Sequence, residues 1–474
     1  MKTLKLLPEI IQGGMGIGVS SWRLAKAVSE NGQIGVVSGV AIDSVIARRL
    51  QLGDHDGKIR HALSNFPWPD MAQRILDAYF IPGGKSNKEP FRLIQMPTLQ
   101  MKRPRIELMI VANFVEVFLA KEGHNGLVGI NYLEKIQLPT LPSLLGAMLA
   151  NVDFVLMGAG IPVSIPGVLD RLSRWDTVEL KLHVENNTHH HNYSYSFDPK
   201  EFCTGRLPEL IRPKFFAIIS SDTLAKTLIR KGTGLVDGFI VENHRAGGHN
   251  APPRKTKNIQ GQAPLQYGLR DIPNIENIKA LGRPFWLAGG YSSPVKLKEA
   301  LNLGANGIQV GTAFAFCDES EIMYEIKKEV LNQCINGKLK VFTGFQVSPA
   351  GYPFKLISLK NTMTDLEMCK QRRRICDLGY LRQLYLSNGS RIGYRCSGEP
   401  IKDYLLKGGC RDETVGKQCL CNGLLATIGL GQTYEDGIEL PIVTAGEDFS
   451  FVTTIVKDSD INYSAKDVID YLRS

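Results

Sequence analysis

The sequence predicts an α/β fold of the closed (β/α)8, or TIM-barrel, type. Eight short apolar runs of strand length recur between residues 9 and 310, each with room for a helix before the next. Glycine and polar residues follow these runs, at the strand ends that form the active face of such a barrel. The clearest case is Gly238-Phe239-Ile240-Val241, which leads through Glu242 to Ala246-Gly247-Gly248-His249. A buried strand whose exit loop carries two glycines and a histidine presents one imidazole beside closely approachable backbone.

In chain order, Glu9-Ile10-Ile11-Gln12 is the first strand, and Gly13-Gly14-Met15-Gly16-Ile17-Gly18 follows it. This turn lacks dinucleotide spacing, and no acidic residue closes a following second strand, so it predicts a turn lying against a flat cofactor. Ser20 or Ser21 caps a helix ending near Asn31-Gly32, and Gly35–Ser38 is the second strand. Residues 42–80 read as mostly helical and charged, leading into a proline-rich connection. Helical residues 115–121 lead to a third strand, Leu127–Asn131, and Asp153–Met157 makes a fourth. Lys214–Ile219 and Asp237–Val241 are the fifth and sixth, with a helix from Asp222 to Lys231 between them.

Phe285–Ala288, stopping at Gly289-Gly290, and Gly307–Val310, stopping at Gly311-Thr312, complete the eight. Between them Ser293 is an N-cap, Pro294 suits the first helical position, and the helix ends at Gly304. Glycines at two consecutive parallel strand ends leave backbone N–H groups and a helix N-terminus bare, a combination that binds an anion such as a phosphate.

The 474 residues are ordinary for a globular chain, 43% hydrophobic and 22% charged. The N-terminus is too short in its apolar part for a secretory signal, and the most apolar region, 138–169, is broken by prolines, Asn151 and Asp153, so no membrane span is expected. Nine cysteines, an odd number, fit the reducing cytoplasm, so N-x-Ser/Thr matches such as Asn388-Gly389-Ser390 read as chance. The net charge of +9 is spread, with Arg372-Arg373-Arg374 the single run, and reads as a solvated basic surface. No aromatic interleaving or recognition helix points to nucleic acid. The oligomeric state is not legible.

The barrel with its return loop, Ser348 to Lys355, is expected over residues 1–355, interrupted by a surface insertion at about 174–212 that holds His189-His190-His191. Residues 356–474 form a separate cysteine-bearing module. Its Cys376, Cys396, Cys419 and Cys421 are candidate ligands for zinc or an iron–sulfur cluster, although their spacing is not the paired C-x-x-C of common sites; the alternative is reduced thiols packed as small apolar groups.

Ile11-Gln12-Gly13-Gly14-Met15, Ala246-Gly247-Gly248-His249, Ala288-Gly289-Gly290 and Gln309-Val310-Gly311-Thr312, in that order, resemble the nitronate monooxygenase family, also called the 2-nitropropane dioxygenases, over roughly residues 8–355. The resemblance implies an FMN-dependent barrel that oxidises alkyl nitronates, and nitroalkanes by extension, with O2 to carbonyl compounds and nitrite. It implies that His249 is the base on the α-carbon or orients the nitronate. It places FMN against Gln12, Gly14, Met15, Asn131, Gly248, Gln266, Gly289, Gly290, Gln309, Gly311 and Thr312, with Gln260 and Gln262 competing with Gln266. One departure is Arg245, where the family commonly has Glu before Ala-Gly-Gly-His; a cation there favours a larger or acidic substrate. Flavin chemistry suits an electron-rich carbon acid, and a histidine titrating near neutrality suits proton removal. Two other readings stand beside this one. The first is an FMN-dependent enoyl-acyl-carrier-protein reductase, which requires NAD(P)H; the second is a flavin-binding scaffold whose cysteine module senses metal or redox state.

Overall fold

The computed structural model describes residues 7–187, 191–254, 267–387, 391–435, 437–456 and 461–474. Eight parallel strands form one sheet: β1 (Ile10–Gln12), β2 (Gly35–Ser38), β3 (Val128–Leu133), β4 (Phe154–Gly158), β5 (Lys214–Ile219), β6 (Gly238–Glu242), β7 (Phe285–Ala288) and β8 (Gly307–Val310). Each pairs with its sequence neighbour from β2 to β8, and β8 pairs with β1, Gln309 opposite Ile11. The cylinder closes where Ile34, just before β2, donates its N–H to Ile10 O at 3.1 Å and accepts that of Gln12 at 2.9 Å. The expected barrel is therefore present, with strand bounds within about two residues of those read from the sequence.

Its interior is packed, as such barrels require. Ile11, Val36, Phe154, Phe216, Ile240 and Trp286 fill it, with the Phe216 ring 4.9 Å from Phe154 and 5.1 Å from Trp286. The Trp286 indole N–H donates to Pro8 O at 3.0 Å, so the polar atom at the far end of the plug has a partner.

The helices lie outside. Ser21 caps Trp22–Glu30, Ser221 caps Asp222–Lys231, and Ser293 caps Pro294–Asn302, each hydroxyl accepting a first-turn N–H. Helix Arg103–Lys121 is much longer than the stretch expected from residue 115. Its apolar residues are buried on every side, because it packs against Thr140–Leu149, Trp22–Glu30 and Ile42–Gln51, and an all-round pattern has no helical stripe to read. The same loss of amphipathic signal hid Thr140–Leu149, buried along its whole length.

Outside the barrel, Val178–Lys181 and Ser194–Phe197 pair within the insertion. Val184–Glu185 of that insertion pairs in parallel with Gln383–Ser387, which itself pairs with Arg391–Arg395. The insertion and the C-terminal region thus share a sheet. Arg372 of the basic run turns inward onto Glu439 at 2.5 Å and Arg374 donates to Thr414 O at 2.9 Å, so these two brace the fold while Arg373 stays exposed. Among the described residues, no helix is long and apolar enough to cross a membrane.

Candidate active site

The C-terminal strand ends converge on a cavity of about 220 Å³. Its floor is largely main chain: Gly13 and Gly14 after β1, Gly289 and Gly290 after β7, and Gly311 after β8. Gly289 and Gly290 have φ of +88° and +80°, the left-handed region that glycine enters without a Cβ clash. At Gly14 a Cβ would stand 2.6 Å from that of Asn131, so the turn lies flat against β3 only without a side chain. A ring or a phosphate can approach bare N–H groups on such a floor.

The floor also carries an unpaired polar atom. Gln309 Oε1 is buried with no hydrogen-bond partner among the described residues, and its side chain belongs to the cavity wall. An unmet buried acceptor costs about 1–3 kcal/mol, which an N–H donor on a ligand would recover. Asn131 and Met15 line the same wall, the Met15 sulfur lying beside Gly311. Gln12 is placed differently. Its Oε1 accepts the Val36 N–H at 2.9 Å, and its Nε2 donates to Ser20 Oγ at 3.0 Å and to Gly13 O. With both ends used inside the protein, Gln12 holds the shape of the Gly13-Gly14 turn and is absent from the wall. Gly248 donates its N–H to Thr444 Oγ1, and Thr312 Oγ1 accepts that of Gly446, both at 2.9 Å. Gln266, with Gln260 and Gln262, lies outside the described residues.

His249 stands at the cavity edge because Gly248–His249 pairs antiparallel with Phe354–Lys355 of the return loop. Its Nε2 is 2.7 Å from Ser348 Oγ, and its ring meets Phe354 edge-on at 4.7 Å. Burial pushes the imidazole pKa well below its usual value, and the nearby Lys135 ammonium pushes it further, so the ring is neutral at pH 7. Lys135 is unusual too. Its Nζ lies 4.4 Å from the Tyr352 ring centre with no hydrogen-bond partner among the described residues, and burial lowers its pKa to about 7.

Glu242, the last residue of β6, is a wall residue that sequence reasoning missed. Burial raises its pKa to about 7. It also lines a second cavity of about 210 Å³, which shares Ala159, Ile218, Glu242 and His249 with the first. A carboxyl ending a buried strand was the available signal, overshadowed by the glycines that follow. In the second cavity His244 stacks on Tyr267 at 4.3 Å. Arg245, expected beside the histidine, instead leans over Gly290 and lies 3.7 Å from Glu447.

The roof comes from beyond residue 356. Tyr380, Leu381, Leu420, Cys421, Leu424 and Ile442 cover the mouth, and Thr444 to Gly446 line it too, Gly446 reaching Thr312 after β8. The expected zinc or iron–sulfur cluster finds no support. Among the described residues no group of three or more His, Cys, Asp or Glu is arranged to hold a metal, and Cys376, Cys396, Cys419 and Cys421 are all free thiols. Burial raises the Cys376 and Cys396 pKa values, which keeps both protonated. Cys421 hydrogen-bonds to Cys419, raising its own pKa and lowering that of Cys419.

The sequence model of the nitronate monooxygenase family matches residues 176–367, which hold the histidine loop and the glycine turns after β7 and β8. Over that stretch the chain is similar to the nitronate monooxygenases. A probable nitronate monooxygenase of Bacillus subtilis (strain 168) is 32% identical over 114 residues, 24% of this chain and 30% of that protein. The chain therefore spans about a third of the length of the curated relatives it matches. Among solved structures, nitroalkane oxidase from Streptomyces ansochromogenes is 16% identical with a TM-score of 0.40, over 74% of this chain and 77% of its own. The enoyl reductase domain of MlnA from Bacillus amyloliquefaciens is 12% identical with a TM-score of 0.46, over 98% and 91%.

Proposed function

We propose that the protein is an FMN-dependent oxidoreductase of the nitronate monooxygenase type, converting alkyl nitronates, and nitroalkanes that enter as their neutral acids, to carbonyl compounds and nitrite with O2. The observation that carries this reading is the unpaired Gln309 amide oxygen in a glycine floor beneath one neutral imidazole. The residues present fit the cofactor. Gly289, Gly290 and Gly311 with Thr312 would seat its phosphate, Gln309 would accept a ring N–H, and Gly14, Met15 and Asn131 would lie along the ring. FMN, when bound, supplies the electron acceptor for an electron-rich carbon.

The protein's own contribution is placement and exclusion of water. The apolar roof covers the mouth, which strengthens every polar contact beneath it. His249 faces the substrate. Its Nε2 is held at 2.7 Å by Ser348 Oγ, which also accepts the Ala350 N–H at 3.2 Å. With Nε2 held by Ser348, the other ring nitrogen is left for the substrate, and in the tautomer that carries the proton on Nδ1 it would orient an anionic nitro oxygen. A histidine whose pKa is pushed this low is a weak proton acceptor, so orientation suits it better than the role of base suggested by its sequence context.

The test is the visible spectrum of the purified protein, followed by anaerobic addition of ethyl nitronate or of NADPH. Yellow protein that bleaches with the nitronate is the expected result. Bleaching by NADPH alone would replace this reading with an enoyl-thioester reductase, and colourless protein that binds no added FMN would remove both.

A further inference from the structure

We propose that Glu242 is a catalytic residue: at the junction of the two cavities its carboxylate takes the α-proton of a neutral nitroalkane, and His249 orients the anion that forms. This rests on the functional reading above only in taking a carbon acid as the substrate.

Position is the first argument. Glu242 closes β6 opposite Ala288 of β7, at the rim where the floor glycines begin, and it is one of four among the described residues that line both cavities. A substrate lying across that junction would carry its reacting carbon past this carboxyl and the His249 ring together.

The second argument is the lack of a structural purpose. Buried carboxylates that serve folding are paired or hydrogen-bonded, as Asp43 is by Arg105 and Tyr380. The two arginines that line the cavities beside Glu242 are turned elsewhere. Arg245 lies toward Glu447, and the Arg254 guanidinium is 3.5 Å from Ser220 O. The other titratable groups that line the cavities are His249 and Tyr352, His244 stacked on Tyr267, Asp271 in the second cavity, and Asp448, Tyr291, Tyr380 and Cys421 in the first. None of these pairs with it, and burial is what raises its pKa to about 7, the value at which a base is both present and strong at neutral pH.

The step balances without an oxidant. The C–H bond breaks, its electron pair becomes the C=N bond of the nitronate with the charge on the nitro oxygens, and the proton goes to a Glu242 carboxylate oxygen. Oxidation of the carbon by flavin and O2 is a later and separate event.

Exchange of the α-hydrogens of nitroethane in deuterated buffer, followed by NMR without oxygen and corrected for the buffer-only rate, isolates this step. Wild-type exchange is expected to rise with pH through an inflection near 7. Glu242→Gln is expected to lower it by ~10²–10⁴-fold and to erase the inflection, with Glu242→Asp restoring part of the rate. His249→Asn is expected to keep the inflection. Flavin absorbance of each variant checks that it has folded. The proposal is overturned if wild-type protein does not exchange these hydrogens, if Glu242→Gln exchanges within about threefold of wild type, or if His249→Asn removes the inflection. Failure of ethyl nitronate to bleach wild-type flavin would sink the oxidase reading alone, since exchange needs no electron transfer.

Discussion

The floor of the cavity is main chain from the strand ends, whereas its roof is side chains from residues 380–448, and the two walls answer to different constraints. The floor contacts depend on the absence of side chains, so almost any substitution there fills space that a ligand needs. The roof contacts depend on which side chains are present, so substitutions there reshape the volume above the ligand and leave the seat intact. The floor thus limits what can lie flat on it, and the roof limits the volume above.

The largest effect is expected from breaking the floor. In Gly14→Val the new Cβ meets the root of the Asn131 side chain at 2.6 Å, where no flexible end can move aside. The turn must lift off β3, and flavin affinity is expected to fall about 100-fold, roughly 2.7 kcal/mol. The ratio of flavin to protein absorbance after dialysis reads this directly, and full occupancy would show that the turn does not seat the cofactor.

A smaller effect is expected from the roof. Tyr380 lines the cavity with its ring while its hydroxyl donates to Asp43 at 2.7 Å and lies 2.8 Å from Ser44 Oγ and 3.2 Å from Arg105 Nη2. Tyr380→Phe leaves the buried Arg105–Asp43 pair short of one partner, a loss of about 1–3 kcal/mol of stability by denaturant titration. Bound flavin should be retained. Parallel loss of flavin and stability would mean that floor and roof are one cooperative unit and that the contrast between them is false.

That contrast also explains what the sequence disclosed. Strand ends such as Ala288-Gly289-Gly290 and Val310-Gly311-Thr312 join a local apolar run to a local backbone requirement, so fold and floor are written in a few consecutive residues. The roof has no such signature. Leu420 and Cys421 on one short helix meet Tyr380 and Ile442 above the mouth only after the chain has folded, and each is an unremarked apolar residue in its own neighbourhood. Val443-Thr444-Ala445-Gly446 is the exception, an apolar residue running into small ones like the strand ends themselves, and its last three residues do line the cavity. The low pKa of His249 was illegible for the same reason. It arises from burial beneath Phe354, with a smaller push from Lys135, 114 residues earlier in the chain.

Lys135 refines the comparison, because it follows β3 on the barrel side yet acts through its side chain. Its amine is buried over Tyr352 without a hydrogen-bond partner among the described residues. Its pKa falls from 10.5 unfolded to about 7 folded, so between those values the unfolded chain binds the extra proton and stability rises with pH. Glu242 acts with the opposite sign in a lower window: its folded value of about 7 lies above the unfolded 4.5, so stability falls as pH rises between them. Thermal unfolding at pH 7 and pH 9 therefore separates the two. Wild-type protein is expected to gain stability across that interval, by at most about 2.7 kcal/mol from one proton over two pH units. Lys135→Met is expected to flatten the gain and to raise the unfolding temperature at pH 7, where the buried amine must otherwise give up its charge or its solvation. Equal slopes for the two proteins would mean that the amine reaches water, and the rim of the barrel would then be as free of electrostatic strain as its glycine floor.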